Sequence, residues 1–242
     1  MKKNSEKMKT LIFIYFLSSI SLAEVLVGKA INLDGEFVYT EEHSIDRDSE
    51  GRAKRIETVY FDSEGKTIAK MTSDFAEKLA APDSKFEDFR FNRVFEGKIA
   101  KEGDKDIYKI SEFDSGKLIK ATDLSYKTDL VSGSGFDNYI KENLVRKRVT
   151  QSSVHFLVMP RHDYYRFEVI DKGLSADSDR EYVIKPSLVL SLFVKEIKIF
   201  YDEKSGILKK YVGLSNLPSA KDKPQSVVIE YKIKSPTKPE GT

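Results

Sequence analysis

A run of acidic residues around one glycine offers the sharpest match to a metal-binding loop. Asp46, Asp48, Glu50 and Glu57 fall at positions 1, 3, 5 and 12 of a calcium-binding EF-hand pattern, with Gly51 at position 6. Carboxylate oxygens at this spacing can surround a calcium ion. The flanking residues alternate as strands do, however, and four arginines and lysines crowd the loop. We therefore interpret the segment as an ordinary hairpin turn and predict no metal site.

The three histidines are the next candidates for chemistry. His43, His155 and His162 are scattered along the chain, and His162 precedes Asp163 in a predicted turn. Two histidines and a carboxylate can form a zinc or hydrolytic site, but no His-x-x-x-His spacing is present. We interpret all three as surface or cross-strand residues. A hydrolase would require a polar cleft that joins His155 or His162 to carboxylates.

Other catalytic and cofactor motifs are missing from the sequence. Gly133-Ser134-Gly135 lacks the Gly-x-Ser-x-Gly pattern of a nucleophilic serine and is interpreted as a flexible lead into a helix. No glycine-rich phosphate loop or dinucleotide fingerprint occurs. The chain has no cysteine, which excludes thiolate metal sites and cysteine nucleophiles. The expectation is a protein that is not an enzyme and needs no cofactor.

The N-terminal residues have the pattern of a cleavable secretory signal. Four lysines among the first nine residues precede the apolar run 11–17, and Ser21 and Ala23 place small residues before a cut that would leave Glu24 as the new N-terminus. The apolar segment is about a dozen residues long, whereas a spanning helix needs about 20. A lipoprotein cut would require a cysteine. We therefore predict export to the periplasm or the exterior, with no covalent membrane anchor.

Charge and size narrow the classes of partner. Removal of the leader takes away four lysines and one glutamate, so the formal charge of +2 becomes about −1. A near-neutral surface argues against nucleic acid, which requires a concentrated basic face. The remaining chain is long enough to bury a core without disulfides, and its Phe and Tyr content supplies large apolar side chains.

A repeated turn signature indicates antiparallel hairpins. An aspartate is followed by small or charged residues and then a glycine, and such an aspartate bonds nearby backbone N–H groups while the glycine takes a positive φ. The signature occurs four times: residues 48–52, 62–66, 114–117 and 202–206.

The segments beside these turns alternate with the period of a half-buried strand. The residues predicted to share one sheet face are Phe37, Tyr39, Glu41, His43 and Ile45 in one strand, Ile56, Thr58 and Tyr60 in the next, Ile197, Ile199 and Tyr201 before the last turn, and Val227, Ile229, Tyr231 and Ile233 near the C-terminus. Residues 154–170 form another predicted hairpin.

Helical signals are fewer. Residues 73–80 and 136–144 are predicted helices, and residues 187–194 are apolar on all sides, which fits a buried strand or a buried helical turn. About nine or ten strands are expected. The fold class is mainly β: a curved antiparallel sheet or open half-barrel with one or two helices covering one side. The predicted organisation is a signal peptide over 1–23, one β domain over 24–234 and a disordered tail over 235–242.

Two closing stretches complete a family resemblance. With the exported leader, the Asp-x-x-Gly-Lys turns and a central helix, residues 211–217 and 227–231 make the chain similar to a group of uncharacterised bacterial periplasmic proteins. Members of that group resemble the LolA and LolB lipoprotein carriers in architecture. The likeness spans residues 35–233 and transfers no functional residue. It implies a curved sheet, closed on one side by helices, whose concave apolar face can hold an acyl chain.

These observations lead to two functional hypotheses. The first is an exported, non-enzymatic protein that binds an apolar or lipid-like ligand, or a lipidated partner, in a sheet cavity. The alternative is a structural or interaction protein of the cell envelope that offers a sheet edge or surface to a partner and has no small-molecule ligand. An empty apolar volume of several hundred Å³ on the concave face would favour the first. The sequence leaves the oligomeric state open.

Overall fold

A computed structural model describes residues 24–187 and 195–234. The described chain is mainly strands, all in one 15-stranded sheet. The strands are β1 (Glu24–Ile31), β2 (Phe37–Arg47), β3 (Ala53–Phe61), β4 (Thr67–Asp74), β5 (Asp83–Asp88), β6 (Arg93–Glu102), β7 (Lys105–Asp114), β8 (Lys117–Ser125), β9 (Leu130–Val131), β10 (Gln151–Val158), β11 (Asp163–Leu174), β12 (Asp179–Pro186), β13 (Ile197–Asp202), β14 (Leu208–Leu214) and β15 (Ser226–Ile233).

The sheet is two hairpin meanders joined at their ends. Strands β1 to β8 pair in sequence order, and so do β9 to β15; the antiparallel pairing of β1 with β15 connects the two series. All neighbours are antiparallel except β9 and β10. The order starts at β8 and finishes at β9, so these two strands are the edges. The expected fold class, a mainly β curved sheet with a helix, is confirmed, although the predicted strand number was too low.

All four signature segments form hairpin turns, and in three of them, all but 114–117, the aspartate bonds backbone N–H groups as predicted. The Asp48 carboxylate accepts bonds from the backbone N–H groups of Glu50 and Arg52, and Asp62 does the same in the next turn. Gly51 takes a φ of 78°. The β1–β2 turn, which sequence reasoning missed, uses the same arrangement with an asparagine: the Asn32 side-chain oxygen accepts two backbone N–H bonds.

Strand alternation places most residues of the predicted faces inside, but Phe37 and Ile233, at strand ends, are exposed at 38% and 46%. Tyr39 and Glu41 of β2 are buried, and so are Thr58 and Tyr60 of β3. Four side-chain clusters fill the curved sheet, and the largest packs the helical segment against β10 to β13. The core residues with the lowest exposure and largest volume are Tyr39, Tyr60, Tyr108, Tyr182, Ile110, Leu130, Ile140, Leu144, Ile184 and Leu217.

The predicted helix over 136–144 is confirmed. It begins as α1 (Phe136–Tyr139) and continues directly as a π-helical segment over Ile140–Val145. The buried Asn138 side chain fixes its position, because it accepts a bond from the Ala53 backbone N–H at 2.9 Å and donates to the Ala53 carbonyl at 3.0 Å. No helix in the described ranges is long and apolar enough to cross a membrane.

The predicted helix over 73–80 is wrong. Ser73 and Asp74 complete β4, and the residues after them form an irregular connection to β5. One local and one long-range bond oppose a helix: the Asp74 carboxylate accepts the Ala76 N–H, and the N–H of buried Phe75 donates to the Lys54 carbonyl. The predicted 154–170 hairpin is confirmed as β10–β11. The leader 1–23, residues 188–194 and the tail 235–242 lie outside the described residues.

Gly135 is required because the backbone packs closely against it. We expected the Gly-Ser-Gly segment to be a flexible lead into the helix, but at Gly135 the requirement is for space. A Cβ at this position would lie 1.9 Å from the Ala80 carbonyl oxygen, and that oxygen already accepts the Ser132 N–H at 2.8 Å. A Cβ at Gly133 would meet only the Asn216 side-chain oxygen, at 3.9 Å. Gly135, and not Gly133, is therefore the residue at which the start of α1 packs against the loop at Ala80.

We expect Gly135→Ala to destabilise the fold by about 3 kcal/mol, because the overlap with backbone forces the helix away from the Ala80 loop. Gly133→Ala is the matched control and is expected to change the free energy of unfolding by less than about 0.5 kcal/mol. Urea unfolding of both variants measures the difference. Equal stabilities would contradict the close approach.

Candidate functional site

The two edges of the sheet are unequal. Strand β9 consists of Leu130 and Val131, both buried, and the neighbouring β10 is tied to the helical segment by a 2.7 Å bond between the Tyr139 and Ser152 hydroxyls. Strand β8 is nine residues long, and most of them are exposed. Within the described residues its backbone pairs with β7 alone. An unpaired row of N–H and C=O groups is a template for another strand.

The two halves of β8 differ in exposure. Towards its end, the side chains of Thr122 and Leu124 turn inward; Leu124 packs against a core cluster. The first five residues are all exposed, including Leu118 at 57% and Ile119 at 53%. A bulge occurs here, where Glu112 pairs with Lys120 but Phe113 pairs with Leu118. The bulge leaves two neighbouring apolar side chains, Leu118 and Ile119, exposed to solvent.

An apolar surface adjoins this exposed half. The strand register places Leu118 opposite Phe113 and Phe113 opposite Val94, so the three lie in one row on the outer face. A groove of about 440 Å³ lies beside them, lined in part by Val94 and the exposed Phe89. We call Phe89, Val94, Phe113, Leu118 and Ile119 the edge patch.

Two lysines accompany the edge patch. Lys117 lies opposite Asp114, and Lys120 lies opposite Glu112. Both lysines are exposed, and neither forms an ion pair with any described residue. The carboxylates across from them are already engaged: Lys221 binds Asp114 at 2.6 Å, while Arg93 and His162 bind Glu112. The edge thus presents uncompensated positive charge.

A buried side-chain contact bridges the β10–β11 turn to the strands at the β8 edge. The β10–β11 turn places His162 in a left-handed conformation with φ 56°, and its ring reaches across to β7 and β8. Its Nε2 lies 3.1 Å from Glu112 Oε2, and its Nδ1 lies 3.1 Å from Thr122 Oγ1. His162 is 4% exposed. We call His162, Glu112, Thr122 and Arg93 the latch.

Arg93 connects the latch to a neighbouring loop. Its guanidinium binds Glu112 and also reaches Asp222 at 3.3 Å, in the connection between β14 and β15. The same connection bonds Arg90 through the Pro218 carbonyl and buries Leu217 in the core. The turns of both meanders are therefore tied together at this end of the sheet.

A second polar cluster lies inside the sheet. Buried Glu41 accepts a 2.6 Å bond from the Tyr231 hydroxyl and lies 3.0 Å from His43 Nε2, while His43 Nδ1 lies 2.9 Å from Thr58 Oγ1. Burial, and next the Glu41 carboxylate, raise the pKa of the phenols around it, so they remain protonated. These phenols belong to Tyr39, Tyr60, Tyr211 and Tyr231.

Each of the three histidines lies within hydrogen-bonding distance of a carboxylate oxygen. The interpretation as surface or cross-strand residues is confirmed for His43, which lies opposite Thr58 on β3, and for the partly exposed His155, but it is wrong for His162, which is buried. Thr58, His43 and Glu41 have the order of a nucleophile, a base and an orienting acid, but Thr58 has no exposed surface. Both ring nitrogens of His162 are occupied. His155 Nδ1 lies 2.8 Å from Asp129 on a partly exposed surface, and no described hydroxyl bonds this ring. The geometry therefore assigns His43 and His162 to structural hydrogen-bond networks. From the sequence, strand alternation predicted only that Glu41 and His43 share the inward face of their strand.

The acidic loop forms a hairpin turn. Asp48 uses its carboxylate to close the turn and bind Arg52 at 2.7 Å, and these bonds lower its pKa. Glu57 lies within β3 and binds Lys70 at 3.0 Å. No group of three or more metal-ligand side chains occurs among the residues that the structure describes.

Comparison with known proteins gives structural neighbours of low similarity. No protein-family model and no curated protein matches the chain. A β-barrel-like protein of the domain of unknown function DUF1849 from Brucella abortus matches 88% of this chain and 96% of its own, at 9% identity and a TM-score of 0.34. A porin-like protein from Bacteroides uniformis matches 88% of this chain and 98% of its own, at 11% identity and a TM-score of 0.28.

We expect Glu112→Gln to lower the free energy of unfolding by about 3 kcal/mol, because it leaves Arg93 facing a neutral amide at a buried site. Asp129→Asn is the matched control: it removes a carboxylate from the more exposed His155 and should cost less than about 1 kcal/mol. Urea unfolding compares the two variants. Similar losses would show that the latch is no stronger than a surface pair.

Proposed function

We propose that this protein is an exported, non-enzymatic binding protein of the cell envelope that takes up an extended segment of a partner along β8. The difference between its two edges carries the proposal: β9 has two buried residues, whereas β8 has nine mostly exposed ones. In a domain that only had to avoid edge-to-edge pairing with other chains, both edge strands would be short or covered.

Strand addition supplies the binding energy in this proposal. The partner's backbone bonds the open row of β8, and its alternate side chains fill neighbouring pockets, which gives specificity. The edge patch provides such a surface, with Leu118 and Phe113 in one row and the groove beside Phe89. The latch holds β8 in place by binding Thr122 from the inner side, so the partner meets an ordered strand.

The filled interior favours this reading over an apolar ligand in a sheet cavity. Large aromatic side chains occupy the concave face of the described sheet, and Tyr39, Tyr60 and Tyr108 have at most 1% exposed surface. Two open depressions lie next to turns on the outside of the described sheet. A ligand inside the sheet would have to displace close-packed side chains, each costing several kcal/mol.

Export is the part of the proposal that depends on the leader. Cleavage after Ala23 would release a chain that starts at Glu24, the first residue of β1. We expect the exported protein to have the intact mass of residues 24–242, and Ala23→Arg to retain the leader because signal peptidase requires a small residue there. Mass spectrometry of both forms measures this. A wild-type mass that includes residues 1–23 would contradict cleavage.

We expect Leu118→Lys to abolish partner recovery by the tagged mature protein from an envelope extract, since a charge replaces an apolar contact at the edge. Leu174→Lys is the matched control, because Leu174 is 59% exposed and Leu118 is 57% exposed, but Leu174 lies on β11. Hydrogen exchange should show that the recovered partner protects β8 amides. Equal recovery by both variants, with β8 unprotected, would refute the edge as the binding site.

A further inference from the structure

We infer that the segment bound along β8 is an extended strand in which apolar and acidic residues alternate. This inference deepens the proposed function and rests on it. It follows from what each face of the edge presents to an added strand, whose successive side chains must point to opposite faces.

The outer face calls for apolar residues. Leu118, Phe113 and Val94 form one cross-strand row, so an added strand would place its own outer side chains directly beside Leu118. Side chains opposite each other in paired strands approach to about 5 Å and interact directly. Ile119, the unpaired residue of the bulge, is a second exposed apolar side chain next to Leu118 in the chain. A charged side chain there would lose water contacts without gaining a partner.

The inner face calls for acidic residues. Glu112 and Asp114 share one face of β7 by strand alternation, and Lys120 and Lys117 lie opposite them on β8. Because His162, Arg93 and Lys221 already bind these two carboxylates, the edge lysines have no acidic partner among the described residues. Carboxylates from an incoming strand would supply the missing charge.

A second copy of this chain does not satisfy the same requirement. Antiparallel pairing of two β8 strands around Ala121 would place Lys117 and Lys120 of both copies on one face of the continuous sheet. Asp123, the one acid of β8, lies opposite Lys109 and pairs with it at 3.5 Å. The two Lys120 side chains would then be diagonal neighbours across the pairing, with no β8 carboxylate on that face, which opposes self-association.

Fluorescence anisotropy with the full mature protein tests the inference. The probe is a labelled eight-residue peptide of alternating valine and glutamate, compared with a peptide of the same composition in two blocks and with one of alternating valine and lysine. We expect the alternating acidic peptide to bind at least about ten-fold more tightly than either comparison peptide. Its affinity should fall as salt is added.

Charge reversal sharpens the test. Lys117→Glu combined with Lys120→Glu should lose the acidic peptide and gain the lysine peptide. Lys185→Glu combined with Lys232→Glu changes the same charge on exposed lysines of β12 and β15 and should leave the preference unchanged. An unaltered preference in the first variant would overturn the inference.

Two further outcomes separate this inference from the proposed function. If Leu118→Lys abolishes partner recovery but no peptide discriminates by charge, the edge binds a strand of other chemistry, and the acidic assignment fails alone. If light scattering shows a dimer that Leu118→Lys dissolves, the occupant of β8 is a second copy, and the inference is wrong.

Discussion

The antiparallel pairing of β1 with β15 is the contact on which the rest of the sheet depends. It joins one meander that runs outward to β8 with another that runs outward to β9, and it places Ala30 beside Ile229 in the core. Gly28 lies opposite Tyr231 in the same seam, and a Cβ there would approach the Tyr231 ring to 2.7 Å. This space lets the Tyr231 hydroxyl reach Glu41 on β2. The seam therefore positions the buried polar cluster as well as the two halves.

Because the seam lies in the middle, the free edges are far from it along the sheet and are brought near each other by curvature. The β10–β11 turn bridges β7 and β8 through side chains, with His162 between Glu112 and Thr122. Continuous backbone pairing between the edges would have closed the sheet and used the hydrogen-bonding groups of β8. A side-chain bridge fixes β8 while leaving those groups available to a partner.

The sequence predicted the parts of this structure that local chemistry determines. Asp48 and Asp62 each form their turn with backbone groups two and four residues away, so the turn signature sufficed. The prediction of a helix over 73–80 failed because a distant backbone group, the Lys54 carbonyl, takes the Phe75 N–H. His162 and Glu112 are 50 residues apart, and no spacing rule indicates such a pair. The edge position of β8 follows from the complete strand order alone.

The lysines of β8 can have two effects at the sheet edge: they disfavour pairing with a basic strand and favour pairing with an acidic one. Lysine on an edge strand discourages pairing with like strands, because the charges meet on one face. At Lys117 and Lys120 the carboxylates that would normally offset this charge are bound by Lys221, Arg93 and His162. In the proposed mode of binding, the charge that would repel a second copy would also attract an acidic strand. Under this proposal, the same two lysines would give specificity by disfavouring a basic strand and stabilising an acidic one.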